Sequence, residues 1–311
     1  MKKRSFSCVP IIYVVAGLFI MATGCHGSKS PTDDESALSG GPFTILDVIT
    51  PVIDSLRAET LTEEQLLKYF ETNREMLKEN IFQATLRHHD SDLASLVHTL
   101  YPKYIENKET IIDNYQNFFE EAEGVSRDLV DTFGLDIPEV KFVPVLGLYA
   151  NGGWTGSHQI YAALERVPPG YDIGMLLIHE STHAISEIAE GTVLDEFYNE
   201  GFASYVTSVL RPGYPPELYI FISPETYQEN IEWFLNHQEK ILTDAMMDMT
   251  VLDDNHKFYF SSSFTPYPSL GYIIGLEYCK HLNERYSLPE LRVYGNDREK
   301  NGESFRNWLQ N

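Results

Sequence analysis

The spacing of apolar and polar residues along the chain predicts a protein built mainly from helices. Residues 62–65 (TEEQ) have the form of a capping box, which predicts a helix from this point to about residue 80. Apolar residues recur at helical spacing over 92–105 and 110–133, and Gly134 is expected to end the second of these helices. Beyond a Pro- and Gly-rich break, the same spacing predicts three more helices, over 224–247, 268–286 and 302–310.

One apolar segment, residues 173–188, is predicted to form a helix that is buried around most of its circumference. Asp172 is the candidate N-cap of this helix, because it follows a break and precedes the first apolar residue. Inside the segment, His179, Glu180 and His183 form the motif H-E-x-x-H. Polar side chains in so buried a helix must be paired, so the motif indicates a chemical role.

The spacing of the motif predicts a metal-binding pair. His179 and His183 are four residues apart, so they lie about 40° apart around a helix axis and project side by side. Two neutral imidazoles in this arrangement can hold one Zn²⁺ at roughly 2.0–2.1 Å. Glu180 is rotated by about 100° from His179, which puts it beside the metal, within reach of a water that it could deprotonate. The alternative is a chance motif, which the buried context opposes.

A catalytic zinc site needs a third protein ligand, and Glu200 is the predicted one. A second helix that starts near Leu194 would carry Glu200 across the first, and Gly201, which lacks a side chain, would permit close approach. Asp195 and Glu196 are candidates for accepting a hydrogen bond from an imidazole N–H outside the ligand set. The alternative for Glu200 is an ordinary solvated carboxylate.

These residues together resemble the gluzincin clan of zinc peptidases. The match consists of residues 179–183 (HESTH), followed seventeen residues later by Glu200 within 199–205 (NEGFASY). The chain looks most like small bacterial zinc proteases filed as domains of unknown function, over roughly residues 140–280. The resemblance implies an α+β, zincin-like fold, mainly helical with a small antiparallel sheet over the H-E-x-x-H helix. It also implies zinc-dependent hydrolysis of peptide bonds, with Glu180 as the general base.

Gluzincins carry an edge strand ahead of the motif helix that binds extended peptide through its backbone, and residues 140–150 are the candidate here. Pro144 cannot donate to a neighbouring strand, which predicts an edge position for this segment. Residues 151–154 (NGGW) are predicted to be a turn, and residues 157–164 to return as a second strand. An ordinary hairpin without a substrate role is the alternative, and the sequence favours neither.

Two supporting roles remain to be assigned. Many gluzincins have an acid four residues after the glutamate ligand, where it orients a histidine; Ser204 stands here, so this contact must come from elsewhere. Hydrolysis also needs a donor to the developing oxyanion, commonly a Tyr or His beyond the motif. Tyr272 is the predicted catalytic donor, between two glycines whose spacing suggests a tightly packed helix. The other candidates are His256, Tyr259 and Tyr267.

The N-terminus predicts export and lipid attachment. A basic start (KKR) is followed by a mostly apolar stretch, residues 8–22, which is too short to span a membrane comfortably. Small residues before Cys25 resemble the lipobox of bacterial lipoproteins, which implies removal of residues 1–24 and a lipidated Cys25. Residues 25–42 are predicted to be a flexible tether and residues 43–311 a single zincin-like domain. An ordinary secretory signal and an uncleaved anchor are the alternatives.

The chain is strongly acidic, and this charge limits the classes of partner that it is expected to bind. The formal net charge is −23, and removal of residues 1–24, which hold three basic and no acidic side chains, would make it −26. This charge argues against nucleic acid and anionic lipid headgroups as partners. The gluzincin resemblance and the lipobox imply the predicted partners, which are a peptide or protein substrate and, through lipidated Cys25, a membrane of the bacterial cell envelope, with the outer membrane as one candidate.

The predicted function is zinc-dependent hydrolysis of peptide bonds by a membrane-anchored lipoprotein. Zinc would be held by His179, His183 and Glu200, with Glu180 and Tyr272 as the catalytic residues. One alternative is a surface lipoprotein that uses a peptidase-like scaffold for binding or assembly with little catalysis; the intact Glu180 opposes it, because binding needs no general base. The other alternative is a structural zinc site. Structural zinc sites almost always have four protein ligands, and only three are evident here.

Overall fold

The chain folds into an α+β structure that is mainly helical and has one small sheet. The computed structural model describes residues 34–37, 42–77, 92–134, 136–150, 152–156, 158–186, 188, 191–247, 259–260, 267 and 269–310. The strands are β1 (Asp34–Ala37), β2 (Phe43–Asp47), β3 (Val140–Val145), β4 (Gly153–Gly156) and β5 (Gln159–Ala163). The α-helices are α1 (Thr50–Arg57), α2 (Glu63–Thr72), α3 (Arg74–Leu77), α4 (Leu93–Glu106), α5 (Lys108–Phe133), α6 (Ile173–Ile185), α7 (Val193–Leu210), α8 (Pro224–Asn236), α9 (Gln238–Ala245), α10 (Leu270–Leu282), α11 (Leu288–Tyr294) and α12 (Arg298–Leu309).

The predicted helices are present, with differences at their ends. The capping box forms at the start of α2, where the Thr62 hydroxyl accepts from the Gln65 N–H. Helix α5 ends at Gly134, whose φ of 84° favours glycine. The single helix predicted over 224–247 is two helices, because the chain leaves helical geometry at His237, between α8 and α9. Helix α11 was not predicted.

The sheet is mixed, so the prediction of an antiparallel sheet is wrong. Its strand order is β1-β2-β3-β5-β4. The β1–β2 and β4–β5 pairs are antiparallel, whereas the β2–β3 and β3–β5 pairs are parallel. The parallel β2–β3 pair is possible because helices α1 to α5 form the long crossover that such a pair requires. Strand β5 takes the place next to β3, which leaves its hairpin partner β4 at the end of the sheet.

The edge strand is β4, so the prediction of an edge position for residues 140–150 is also wrong. Strand β3 lies inside the sheet, and residues 153–156, which overlap the predicted turn at 153–154, form one of its two edges. Pro144 is tolerated in β3 because its nitrogen faces β2 at a point where the two strands no longer pair. The Val140 N–H donates to Pro42 on the β2 side, and backbone groups alternate, so the Pro144 nitrogen faces the same side. Registered pairing with β2 stops at Phe142, so no ladder bond is lost at the proline.

Helix α6 carries the motif and packs against β4 and β5 as well as against α5 and α7. Asp172 is its N-cap, as predicted, and accepts a hydrogen bond from the Gly174 N–H at 2.8 Å. The helix is buried from Ile173 through His179, which agrees with the predicted burial around most of its circumference. Helix α7 begins at Val193, close to the predicted start.

Helices α7 and α10 are in almost direct backbone contact at a pair of glycines. A Cβ on Gly201 would lie 2.0 Å from the carbonyl carbon of Gly275, and a Cβ on Gly275 would lie 1.8 Å from the Phe197 carbonyl oxygen. Gly201 therefore permits close approach, as predicted, but to α10 and not to α6. The contact brings Tyr272, on α10, close to Glu200 on α7.

The N-terminal predictions fall mostly beyond the described part of the chain. The predicted signal peptide, residues 1–24, and Cys25 lie outside the described residues. Within the predicted tether, Asp34–Ala37 pairs with β2 as strand β1. None of the helices in the described ranges is both long and apolar enough to cross a membrane.

Candidate metal centre

The two motif histidines and Glu200 meet at one point between α6 and α7. His179 Nε2 and His183 Nε2 are 3.2 Å apart. Glu200 Oε2 lies 3.2 Å from the first of these nitrogens and 3.4 Å from the second. Within the ranges described, these are the only three His, Cys, Asp or Glu side chains grouped closely enough to hold a metal ion.

The spacing of these atoms fits a tetrahedral metal ion. Bonds of roughly 2.0–2.1 Å at tetrahedral angles place ligand atoms about 3.3–3.4 Å apart. The three observed separations are 3.2, 3.2 and 3.4 Å. With both imidazoles neutral, three atoms at this spacing form one face of a tetrahedron and leave its fourth corner without a protein ligand. The cluster of His179, His183 and Glu200 can therefore hold a metal ion in an open site.

Burial makes the electrostatics of this cluster strong. The side chains of His179, His183 and Glu200 are 4%, 9% and 9% exposed. Burial opposes the charged forms of His183 and Glu200, but the attraction between opposite charges is larger. The Glu200 carboxylate raises the pKa of His183 to about 9, and the two imidazoles hold the pKa of Glu200 well below its usual range. The pocket favours a negative carboxylate next to positive charge, as cation binding requires.

The orientation of His183 is set by Asn199. The Asn199 Oδ1 lies 3.0 Å from His183 Nδ1. Because an amide oxygen only accepts, Nδ1 is the donor in this contact, and Nε2, which faces Glu200, is the nitrogen that can bind a metal ion when the imidazole is neutral. The sequence analysis missed Asn199, although its position directly before the predicted ligand was a usable signal.

The residues predicted for this orienting role have other contacts. Asp195 closes a capping box at the start of α7, where its Oδ2 accepts from the Thr192 N–H at 2.8 Å, and it also pairs with Arg298 at 3.3 Å. The negative charge of Glu196 acts on Tyr272, whose pKa it helps to raise. Ser204 Oγ is buried without a hydrogen-bonding partner, so it does not orient a histidine.

Glu180 lies beside the ligand cluster and is not part of it, as predicted from its rotation around the helix. Its Oε2 accepts a hydrogen bond from the Thr155 hydroxyl of strand β4 at 2.9 Å. Burial is the main cause of a raised pKa at the Glu180 carboxyl. The strand approaches closely because position 153 is glycine; a Cβ there would lie 2.7 Å from Leu176 Cδ1 and 3.2 Å from Glu180 Cγ. Thr155 is a second residue that sequence reasoning missed.

Tyr272 is the predicted oxyanion donor that lies at the centre. It is 6% exposed, and its ring is stacked at 6.2 Å from the ring of His179. Burial raises its pKa well above the usual value, and the carboxylates of Glu200, Glu196 and Glu180 raise it further. The phenol therefore keeps its proton.

The other three donor candidates are placed differently. The Tyr259 hydroxyl donates to Asp244 Oδ2 at 2.8 Å, so it is hydrogen-bonded to a residue of α9. The ring of Tyr267 lies 5.6 Å from that of Trp233. His256 lies outside the described residues.

An aromatic side chain that the sequence did not single out forms a wall of the centre. The ring of Phe221 lies 5.5 Å from that of His179, edge to face. Phe221 follows the 3-10 turn Pro216–Ile220 and has a φ of 58°, in the left-handed region that a non-glycine residue seldom adopts. Its apolar ring packs against the imidazole of His179.

No protein-family model, curated protein or solved structure matches this chain. The geometry of the centre is therefore the basis on which its function is inferred.

Proposed function

We propose that this protein is a zinc-dependent peptide hydrolase with a zincin-like metal helix. The observation that carries the proposal is the convergence of His179 Nε2, His183 Nε2 and Glu200 Oε2 within 3.4 Å of one another. Two imidazole nitrogens and one carboxylate oxygen are a donor set of zinc hydrolases, in which the fourth position is left for the reaction. The Glu180 carboxyl interacts electrostatically with all three of these side chains, which supports a place for it beside the set.

Bound zinc would act as a Lewis acid that polarises the scissile carbonyl and makes water more acidic. Glu180 would take a proton from the attacking water and deliver it to the amine leaving group. Tyr272, which keeps its proton, would donate a hydrogen bond to the negative charge that develops on the carbonyl oxygen.

Strand β4 supports a peptide as the substrate. It is one of the two outermost strands of the sheet, and its Thr155 hydroxyl contacts Glu180. An edge strand can pair with an extended peptide backbone, so a peptide bound there would lie along the catalytic glutamate. In the same proposal, lipid on Cys25 would hold the enzyme at a membrane of the bacterial cell envelope.

The proposal is tested with the full chain purified in detergent, assayed against a library of fluorogenic peptides with and without a chelator. We expect the wild type to bind one zinc ion per chain and to cleave a subset of peptides, and chelation to abolish cleavage. Glu180→Gln removes the general base, so turnover should fall by about 10²–10⁴-fold while zinc stays bound. Glu200→Ala should lose the zinc. Glu232→Gln, which changes an exposed carboxylate on α8, is the control and should behave as the wild type.

Two results would contradict the proposal. Cleavage that survives complete removal of metal would exclude the zinc mechanism. Zinc bound at full occupancy without cleavage of any peptide, or with the same rate in Glu180→Gln, would point instead to a binding or structural role for the site.

A further inference from the structure

We propose that Thr155, on strand β4, is the positioning residue for the carboxylate of Glu180. This inference rests on the proposed function, in which Glu180 is the general base. The hydrogen bonds of the Thr155 side chain go to Glu180 and not to the three ligands, so Thr155 would act through Glu180. The assignment depends on three features of the described residues, namely the position of the hydroxyl, the packing of the strand and the alternation of its side chains.

The Thr155 hydroxyl contacts the same glutamate twice. Its Oγ1 lies 2.9 Å from Glu180 Oε2 and 2.8 Å from the Glu180 carbonyl oxygen, so its one proton is shared between these two acceptors. A glutamate side chain has three rotatable bonds, and ordering it loses roughly 1–2 kcal/mol of rotamer freedom. A hydroxyl that lies against both the side chain and the main chain of Glu180 limits where the carboxylate can go. This places a reacting group before the substrate arrives.

The strand that carries Thr155 is itself held against helix α6. Gly153 and Thr155 are two positions apart, so they face the same side of β4. On that side the missing side chain of Gly153 lets the strand approach Leu176 and Glu180. Trp154 points to the opposite side, where its ring stacks on Tyr161 at 4.7 Å. The strand is packed from both faces, so Thr155 has a fixed position relative to Glu180.

A role limited to holding strand and helix together would not need the contact to Oε2. The bond to the Glu180 carbonyl oxygen alone would tie β4 to α6. The second contact, to the carboxylate, is the one that predicts an effect on the reaction. Removal of a hydrogen bond to a charged group would lower kcat roughly 10- to 100-fold if the carboxylate leaves its position.

The test compares two variants of the full chain. Thr155→Val keeps the shape and the β-branch but loses the hydroxyl, whereas Thr155→Ser keeps the hydroxyl. We expect Thr155→Val to lower kcat 10- to 100-fold with KM, zinc content and Tm close to wild type, and Thr155→Ser to recover most of the rate. Thr243→Val, which removes a hydroxyl from the exposed side of α9, is the control. Crystal structures of the zinc-loaded variants give a readout that is independent of activity.

In these crystals the Glu180 carboxylate should stay beside position 155 in the wild type and in Thr155→Ser, and should move in Thr155→Val. Equal losses of kcat in both variants, or a loss that follows zinc content or Tm, would show a structural role and overturn the inference. Wild-type kcat in Thr155→Val would overturn it as well. If the wild type hydrolyses no peptide, the proposed function fails, and the crystal structures alone decide whether Thr155 positions Glu180.

Discussion

Replacement of Glu165 by Gln should stabilise the protein, and the gain should grow with pH. Glu165 lies in the 3-10 turn that follows β5 and is 8% exposed. Its Oε1 accepts from the backbone N–H groups of Gly147 and Tyr149 at 2.7 and 3.0 Å. Its Oε2 is buried and has no hydrogen-bonding partner. A carboxylate with one oxygen unpaired in the interior is costly when it is charged.

The magnitude follows from the pKa of this carboxyl. Burial raises it from 4.5 to about 7, against the hydrogen bonds from Tyr149 and Gly147 and the charge of Arg166. The folded state therefore holds a proton that the unfolded state releases between pH 4.5 and 7. The stability that the protonated Glu165 carboxyl contributes is fully present below about pH 4.5. It is lost as the pH rises through 7, and the loss is on the order of 3 kcal/mol. A neutral Gln at position 165 can keep both backbone hydrogen bonds without ionising.

The assay is urea unfolding of the wild type and Glu165→Gln between pH 5 and pH 8. The variant should gain little at pH 5 and about 2–3 kcal/mol at pH 8, and the difference should level off above pH 7.5. Other titrating groups are common to both proteins and cancel in the difference. Glu109→Gln, on the exposed surface of α5, is the control and should show no trend with pH. A difference that stays constant across this range, or a variant that is less stable than the wild type at pH 8, would refute the reasoning.

Two further predictions concern the packing and the ligands of the metal centre. Gly275→Ala places a Cβ 1.8 Å from the Phe197 carbonyl oxygen, so α7 and α10 must separate. We expect the free energy of unfolding, measured in urea, to fall by about 1–3 kcal/mol or more. The control is Gly302→Ala, whose Cβ has its nearest atom at 3.6 Å and which should not lower the free energy of unfolding. Asn199→Ala removes the acceptor that fixes His183, so zinc affinity, measured by competition with a chelating dye, should fall roughly 10- to 100-fold, and an unchanged Kd would exclude this role.

The sequence alone determined the parts of the centre that depend on local geometry. The spacing of His179 and His183 places both imidazoles on one face of any helix, whatever surrounds it. Asp172 caps that helix because capping involves only neighbouring residues. Glu200 could be named because it stood beside a glycine on the next helix, and the structure brings its Oε2 to both rings.

The tertiary structure decided what depends on contacts between distant segments. Strand order is one case: Pro144 indicated an edge, yet β3 is interior, because its pairing with β2 ends before the proline. The partner of Gly201 is another, since the glycine only permits close approach and the rest of the core selects α10. The Thr155 hydroxyl donates to Glu180 because the β4–β5 hairpin folds over α6. Helical spacing is a property of consecutive residues, whereas the neighbours of a strand or a helix face are chosen by the burial of the whole core.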